Sequence, residues 1–399
     1  MSKSELIVGL DIGTTKICAV VGEPSENGGM DIVGIGTSPS TGLRKGVVVN
    51  IEQTVQSIKR ALEEAELMAG CEIRSVYAGI AGSHIKGFNS HGVIAVKGGE
   101  VSPRDIERAL DAAKAVAIPL DREVIHILPQ EYIVDDQRGI ADPMGMAGVR
   151  LEVKVHIVTG AVTSAQNIVR SCHKSGLDVS DIVLESLASA KAVLTEEERE
   201  IGVALVDLGG GTTDIAVLSL GGQNLTNDIA FGLRTPMAAA EKIKIKHGAA
   251  IAEMVRPDEY IEVPSVGGRE PRRLSRQVLA EICEPRMEEI LTLLDQELVR
   301  SGLKNMIGAG VVLTGGTALI QGCQELGEQV FNLPTRIGYP RNVGGLKDMV
   351  NSPKFATAMG LLRFGAEKEG MEQKFRIRSD GNVFNSILSR MKKWFSEIS

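Results

Sequence analysis

The stretch VDLGGGTTDIAV, Val206–Val217, enters as an apolar run, meets an acid, passes through three glycines and two threonines, and returns to apolar residues. Glycines at the end of a buried strand let backbone N–H groups approach a ligand without side-chain obstruction. Successive N–H groups pointing into one concavity bind an anion. A second stretch, VGLDIGTTKICAV, Val8–Val20, repeats the frame. Asp11 answers Asp207, Gly13 answers Gly209, Gly210 and Gly211, and Thr14 and Thr15 answer Thr212 and Thr213. Each copy reads as strand, turn and strand: Leu6–Leu10 into Ile17–Val21, and Val203–Val206 into Ile215–Leu218. Roughly 200 residues separate the copies, which suits two homologous α/β domains that open with the same hairpin. The alternative is a chance likeness of two glycine turns.

The side chains of these turns fit a polyphosphate. Threonine hydroxyls add donors, and Lys16 adds a positive charge for phosphate oxygens. The acids make sense once a cation is included: Asp11 and Asp207 are suited to hold Mg²⁺ through its waters, because that ion keeps much of its hydration. Two such hairpins face to face would clasp the ligand between domains. Neither stretch is a G-x-x-x-x-G-K-[ST] loop or a G-x-G-x-x-G fingerprint.

With 399 residues, 43% hydrophobic and 24% charged, the chain is expected to be soluble and to bury a large core in two or more domains. Aromatics are 3% and the net charge is -7, which makes the core aliphatic and argues against nucleic acid as a partner. Cys18, Cys71, Cys172, Cys283 and Cys323 show no C-x-x-C spacing, so a zinc site or disulfide framework is not expected and a reducing cytoplasm is. The start, MSKSELIVGLDIG, has too short an apolar run for a signal peptide. No window has the apolar length of a membrane-spanning helix, so membrane contact is expected to be peripheral.

Between the hairpins, Ile51–Ala69 has helical periodicity and SVYAGIAG, Ser75–Gly82, reads as a strand. From about His84 to Thr159 the chain reads as a small inserted α/β module, with a helix capped by Ser102 and started by Pro103, and strands VIHIL and EVKVHIV. Ala165–Ser175, Ala188–Glu198, Pro236–Gly248 and Ser275–Ser301 read as helices, PSVGGREP as a loop, and GVVLTGG, Gly310–Gly316, as a buried strand ending in glycines. A last helix, Ala356–Phe364, is followed by a polar stretch, Gly365–Phe384, read as a flexible linker.

The tail, NSILSRMKKWFSEIS, places Ile387, Leu388, Met391, Trp394, Phe395 and Ile398 on an arc of about 120°. Arg390, Lys392 and Lys393 take the other side. This pattern predicts an interfacial helix, with aromatics at the headgroup boundary and cations for anionic lipid. The alternative is a terminal helix docked on its own protein. One short helix binds weakly, so stable attachment calls for many copies on one surface, hence a polymer.

VGLDIGTTK and VDLGGGTTDIAV resemble the two phosphate motifs of the actin, Hsp70 and sugar-kinase superfamily, and VVLTGGTALI, Val311–Ile320, resembles its adenosine motif, in family order. The resemblance implies ATP with Mg²⁺, and places Gly315, Gly316 and Thr317 close to adenine and ribose. It also brings Glu241 and Lys244 to the nucleoside from AEKIKIKHG, where a solvated charged face is the competing reading. LESLASAKAV resembles the connecting motif, which gives Glu185 and Asp207 catalytic roles, Glu185 orienting a water; a surface glutamate before a helix is the alternative.

SVYAGIAGSHI, ILPQEYIVD, GIADPMGMAGVRLEVKVHIVTG, IEVPSVGGRE and the tail extend the likeness over essentially the whole chain, which resembles the FtsA family of bacterial cell-division actin homologues. That resemblance implies an α/β, actin-like two-lobed ATPase fold in which subdomain 1C replaces 1B. Its subdomains would be 1A (1–84, 163–202, 355–365), 1C (85–162), 2A (203–235, 307–354) and 2B (236–306), then the linker 366–384 and the membrane helix 385–399. It further implies self-assembly into protofilaments on the cytoplasmic face of the inner membrane at the division site. On the same resemblance, subdomain 2B captures the C-terminal peptide of FtsZ and 1C contacts later division proteins. Arg276, Arg286 and Glu288 are candidates for the FtsZ surface, a solvated helix face being the alternative. Loss of 1B favours tight ATP binding with slow or negligible hydrolysis, the nucleotide choosing an interdomain geometry. A small-molecule kinase would need a general-base Asp in a second pocket, and none can be placed. A chaperone would need a peptide-binding domain for which too few residues follow, and an MreB-like cell-shape filament would lack the insertion.

Overall fold

The computed structural model describes residues 6–25, 28–214 and 221–378. Two sheets carry the two hairpins. In the first, Ile7–Ile12 pairs antiparallel with Lys16–Pro24, Asp11 opposite Cys18, and parallel with Ser75–Ile80 on its other edge. In the second, Ala204–Leu208 pairs antiparallel with Thr213–Asp214, Asp207 opposite Asp214, and parallel with Val311–Thr314 on its other edge. One further parallel strand follows outward in each sheet, Asp178–Leu184 in the first and Thr335–Ile337 in the second. The same local topology thus occurs twice, as the paired sequence frames require. Ile215–Leu218, expected to complete the second hairpin, lies outside the described residues.

Helix Ile51–Ala69 covers one face of the first sheet. Asn50 caps it by accepting the Gln53 N–H, and Gly70 ends it at φ 65°, where a side chain would be strained. Its Val55, Ile58, Ala61, Leu62 and Ala65 are buried. Gly34 in strand Met30–Pro39 lets the helix come close, since a Cβ there would stand 2.6 Å from the Ala65 carbonyl oxygen. Ala358, Met359, Leu361 and Leu362 of the last helix pack on the opposite face.

That last helix runs Ala356–Arg378, which corrects the linker read from residue 366. The stretch lacks an apolar period, and ion pairs to residues remote in sequence help hold its first turn. Lys368 pairs with Asp181 at 2.6 Å and Glu367 with Lys191. A second correction concerns Ala188–Glu198, which is two helices, Glu185–Val193 and Glu196–Ile201. Leu194 is extended, and Thr195 starts a new helix by a reciprocal cap with Glu198.

The inserted module is a four-stranded antiparallel sheet, Lys86–Ala95, Arg150–Ala161, Arg122–Val134 and Gln137–Ile140 in spatial order. Helix Pro103–Lys114 lies against it, started by the Ser102–Asp105 capping box. Leu151, Val153, Val155 and Ile157 alternate into its core with Ala109 and Ala113. At the junction with the first lobe, the Arg122 guanidinium donates to Thr159 and to the His84 carbonyl, tying entry and exit strands together.

In the second lobe, helix Arg276–Arg300 buries Leu279, Cys283, Met287, Ile290, Leu291, Leu294 and Leu298. Helix Gly222–Gly232, which sequence periodicity did not reveal, packs between it and Met237–His247. All five cysteines are free thiols. Among the described residues no helix is long and apolar enough to cross a membrane. The tail from Ile387 to Ile398 lies outside the described residues.

Candidate functional site

The two Gly/Thr turns meet. A Cβ on Gly210 would stand 2.6 Å from Thr15 Oγ1, and one on Gly211 would stand 2.6 Å from Thr14 Oγ1. Glycine is therefore required where the second turn passes under the first. Above the contact opens a cavity of about 840 Å³ between the lobes. Asp11, Gly13, Thr14, Thr15, Lys16, Glu185, Asp207, Gly209, Gly210, Gly211, Thr212, Glu241, Lys244, Gly315, Gly316 and Thr317 all line it. Thr213 is fully buried beneath. The predicted residues, taken from sequence positions far apart, therefore come to one place.

Both acids are buried in this cleft. Burial pushes the Asp11 carboxyl up to about 6; Lys16 opposes the rise and the neighbouring Asp207 adds to it. Asp207 is also raised by burial, but two hydroxyls restrain it: Ser189 donates to Oδ2 at 2.7 Å and Thr357 at 3.3 Å. Lys16 is held at the cavity edge by donating to the Lys354 carbonyl at 2.7 Å, with its ammonium 4.2 Å from the Phe355 ring centroid. Two buried, mutually repelling carboxylates facing one cation and a polar concavity suit a hydrated Mg²⁺, whose charge would remove the cost of ionising both. Among the described residues no group of three or more His, Cys, Asp or Glu side chains is placed to hold a metal ion.

The second turn is braced from behind. The Gly222 N–H donates to the Gly209 carbonyl at 3.0 Å and the Gln223 N–H to the Gly210 carbonyl at 2.7 Å. Thr317 Oγ1 donates to Gly209 O at 3.2 Å, which links the third glycine stretch to the second. Gly315 adopts φ 87°, and a Cβ there would stand 2.6 Å from Leu208 O. These contacts explain why three separate stretches carry glycine.

Glu241 and Lys244 form one side of the cavity's far end, but Lys244 is committed inward. Its Nζ donates to Gly222 O at 3.0 Å, Thr226 Oγ1 at 2.8 Å and Glu241 Oε2 at 2.8 Å. Glu185 begins helix Glu185–Val193 and passes over Gly79, where a Cβ would stand 3.0 Å from Glu185 Cγ. The start of this helix is fixed from the inserted module, because the Leu184 N–H donates to His126 Nε2 at 2.9 Å. Its C-terminal carbonyls receive Arg199, Arg363 and Arg336, which suits the negative end of a helix.

The partner candidates on helix Arg276–Arg300 do not form one patch. Glu288 is exposed. Arg286 pairs with Asp228 and Glu289. Arg276 is largely buried in hydrogen bonds to His247, Glu259 and Gln321.

Comparison with known proteins gives the family. Cell division protein FtsA of Pseudomonas aeruginosa PAO1 is 52% identical over 99% of this chain and 98% of its own length. This chain belongs to the FtsA family. FtsA of Escherichia coli K12 is 42% identical over 98% of the chain and 97% of its own length. The family model for cell division protein FtsA matches residues 204–360, and that for the SHS2 domain inserted in FtsA matches 82–159, which contains the antiparallel module. Among solved structures, the PilM–PilN type IV pilus biogenesis complex has a chain with TM-score 0.64 and 17% identity, covering 90% of this chain and 98% of its own. Spiroplasma citri MreB5 bound to ADP gives 0.56 and 16%, covering 92% and 98%. The fold is thus actin-like, and the protein is a cell-division protein of the FtsA family.

Sequence reasoning missed several residues of this FtsA site. Ser189, Thr357, the Lys354 carbonyl, Phe355 and Gln223 stand in no glycine motif. A hydroxyl four residues into the helix begun by Glu185 was the available signal for Ser189, since position i+4 lies on the same helical face.

Proposed function

We propose that this chain binds ATP with Mg²⁺ between its lobes and, as an actin-like polymer, tethers the FtsZ ring to the cytoplasmic face of the inner membrane at the division site. The observation that carries this reading is the meeting of the two Gly/Thr turns beneath a cavity lined by Asp11, Lys16 and Asp207. MreB5 solved with ADP and with AMPPNP supports an adenine nucleotide there, and MamK solved as a double helical filament supports self-assembly. The phosphates would lie on the N–H groups of Gly13–Lys16 and Gly210–Thr212, with Mg²⁺ near Asp11 and Asp207. Glu185 would hold a water on the side of the terminal phosphate, and Lys244 would fix Glu241 for the ribose. Hydrolysis is slow or negligible in this reading, the nucleotide serving to hold the lobes in the geometry that polymerises.

The proposed division follows the sheets: 1A around the first hairpin, 1C for 85–162, 2A around the second hairpin, and 2B for 236–306. The amphipathic tail, 385–399, supplies the anchor for anionic lipid, many tails acting together along a filament. FtsZ's C-terminal peptide docks on 2B near Arg286 and Glu288, and later division proteins use 1C. Co-sedimentation with anionic liposomes tests the whole. Intact protein should pellet with them more strongly in Mg-ATP than without, and protein ending before Asn385 should stay in solution. Equal pelleting of the two forms would refute the anchor.

A further inference from the structure

Two walls line the cavity on the side away from the first turn's hairpin. One is helix Met237–His247 with Gly248 after it, and the other is the Gly315–Ile320 stretch. Among the described residues no hydrogen bond joins the two walls along the open cavity. Their far ends converge just behind it, on a side chain that does not line the cavity at all. Arg276, the first residue of the long helix, donates from Nε to the His247 carbonyl at 2.8 Å and from Nη2 to Gln321 Oε1 at 2.5 Å. Its Nη1 pairs with Glu259 at 2.6 Å, which holds the guanidinium plane in place. His247 closes the first wall and Gln321 closes the second. The main chain repeats the connection, since the Ala250 N–H donates to the Gln321 carbonyl at 2.7 Å.

The geometry points to Arg276 as a positioning residue that sets the width of the nucleoside end of the cavity by cross-linking its two walls. The inference rests on the nucleotide reading above and adds a determinant of base and ribose affinity to it. Arginine suits the role because its planar fork serves three acceptors in fixed directions, which an ammonium cannot do. It also sits at the C-terminal end of helix Met237–His247, where a cation is favoured. Arg276 itself bonds neither phosphate turn; the second wall reaches the second turn through Thr317 Oγ1 and the Gly209 carbonyl. A loosened strut therefore weakens the grip on the nucleoside first, and reaches the phosphate cradle only through that one hydroxyl bond. Its side chain is spent on these bonds, so it is withdrawn from the partner surface to which sequence reasoning assigned it.

The test compares Mg-ATP with inorganic tripolyphosphate, using the full chain and titration calorimetry. Arg276→Gln should lose on the order of tenfold in ATP affinity while tripolyphosphate affinity stays within about twofold. Arg276→Lys should fall between, because it reaches fewer acceptors. Gln321→Leu removes the other end of the link without touching the main-chain bond, and should shift ATP in the same direction by several-fold. The double variant should be no weaker than Arg276→Gln alone, as expected for two ends of one connection. Unchanged ATP affinity in Arg276→Gln overturns the inference, and so does an equal loss of both ligands, which would mark a general disturbance of the lobe. Wild-type protein that binds neither ligand overturns the nucleotide reading, and the strut with it.

Discussion

The two Gly/Thr turns share a backbone plan and differ in how charge is managed. The first turn carries its own cation, Lys16, fixed by the Lys354 carbonyl and the Phe355 ring, and its acid is left strongly raised by burial. The second turn has no cation of its own at that position. Its acid is restrained instead by Ser189 and Thr357, and its glycines are braced by the following helix. A duplicated hairpin has thus become one side that supplies charge and one side that supplies shape. The difference teaches that a repeated motif fixes geometry, while the electrostatics come from whatever each lobe packs behind it.

This comparison can be broken at the second acid first. Asp207→Ala should lower Mg-ATP affinity by about a hundredfold, because it removes a cation-facing carboxylate and leaves the Ser189 and Thr357 hydroxyls with only each other. Fluorescent-nucleotide titration reads this, and unchanged affinity would remove Asp207 from the ligand set. Next, Gly210→Val puts a branched side chain where Thr15 already stands, so the turns must part. Affinity should fall about tenfold, with a larger radius of gyration in solution scattering. If shape did not belong to the second turn, the substitution would be tolerated.

The smallest effect is a pH dependence that belongs to the first turn. Asp11 rises from an ordinary 3.8 to about 6 on folding, so the folded form disfavours its charge. Its stabilising contribution is fully present below about pH 4 and is lost as pH rises through about 6. The empty protein should therefore lose this part of its stability over that window, while Mg-ATP binding strengthens across it as the carboxylate ionises. Urea unfolding at a series of pH values checks the first trend. Asp11→Asn should make the slope shallower, what is left belonging to Asp207, which burial also raises; an unchanged slope in that variant would assign the titration elsewhere.

The cradle was legible because its chemistry is local. Glycine, threonine and aspartate in one frame state a turn that brings backbone amides and a carboxylate to one concavity without help from the rest of the chain. Helix Gly222–Gly232 was not legible, because GQNLTNDIAFG carries two glycines, two asparagines and an aspartate, which favour turns over helix. Its first turn is stabilised by the carbonyls of Gly209 and Gly210, a tertiary contact that propensity cannot carry. The extension of the last helix to Arg378 was missed for a related reason, its pairs with Asp181 and Lys191 being remote in sequence. Arg276 shows the opposite failure. An arginine at a helix start reads as surface, and only the arrival of His247, Glu259 and Gln321 reveals it as interior.

One consequence follows from the way Gly222 and Gln223 spend their amide protons. A helix that begins beside a phosphate usually greets it with free N–H groups. Here those first donors are already turned onto the carbonyl backs of Gly209 and Gly210. The helix is a buttress rather than a hand: it presses the loop forward and polarises its peptide planes. On the second lobe the loop rather than the helix start would then meet a phosphate, and any slackening of that prop would be felt as a weaker grip.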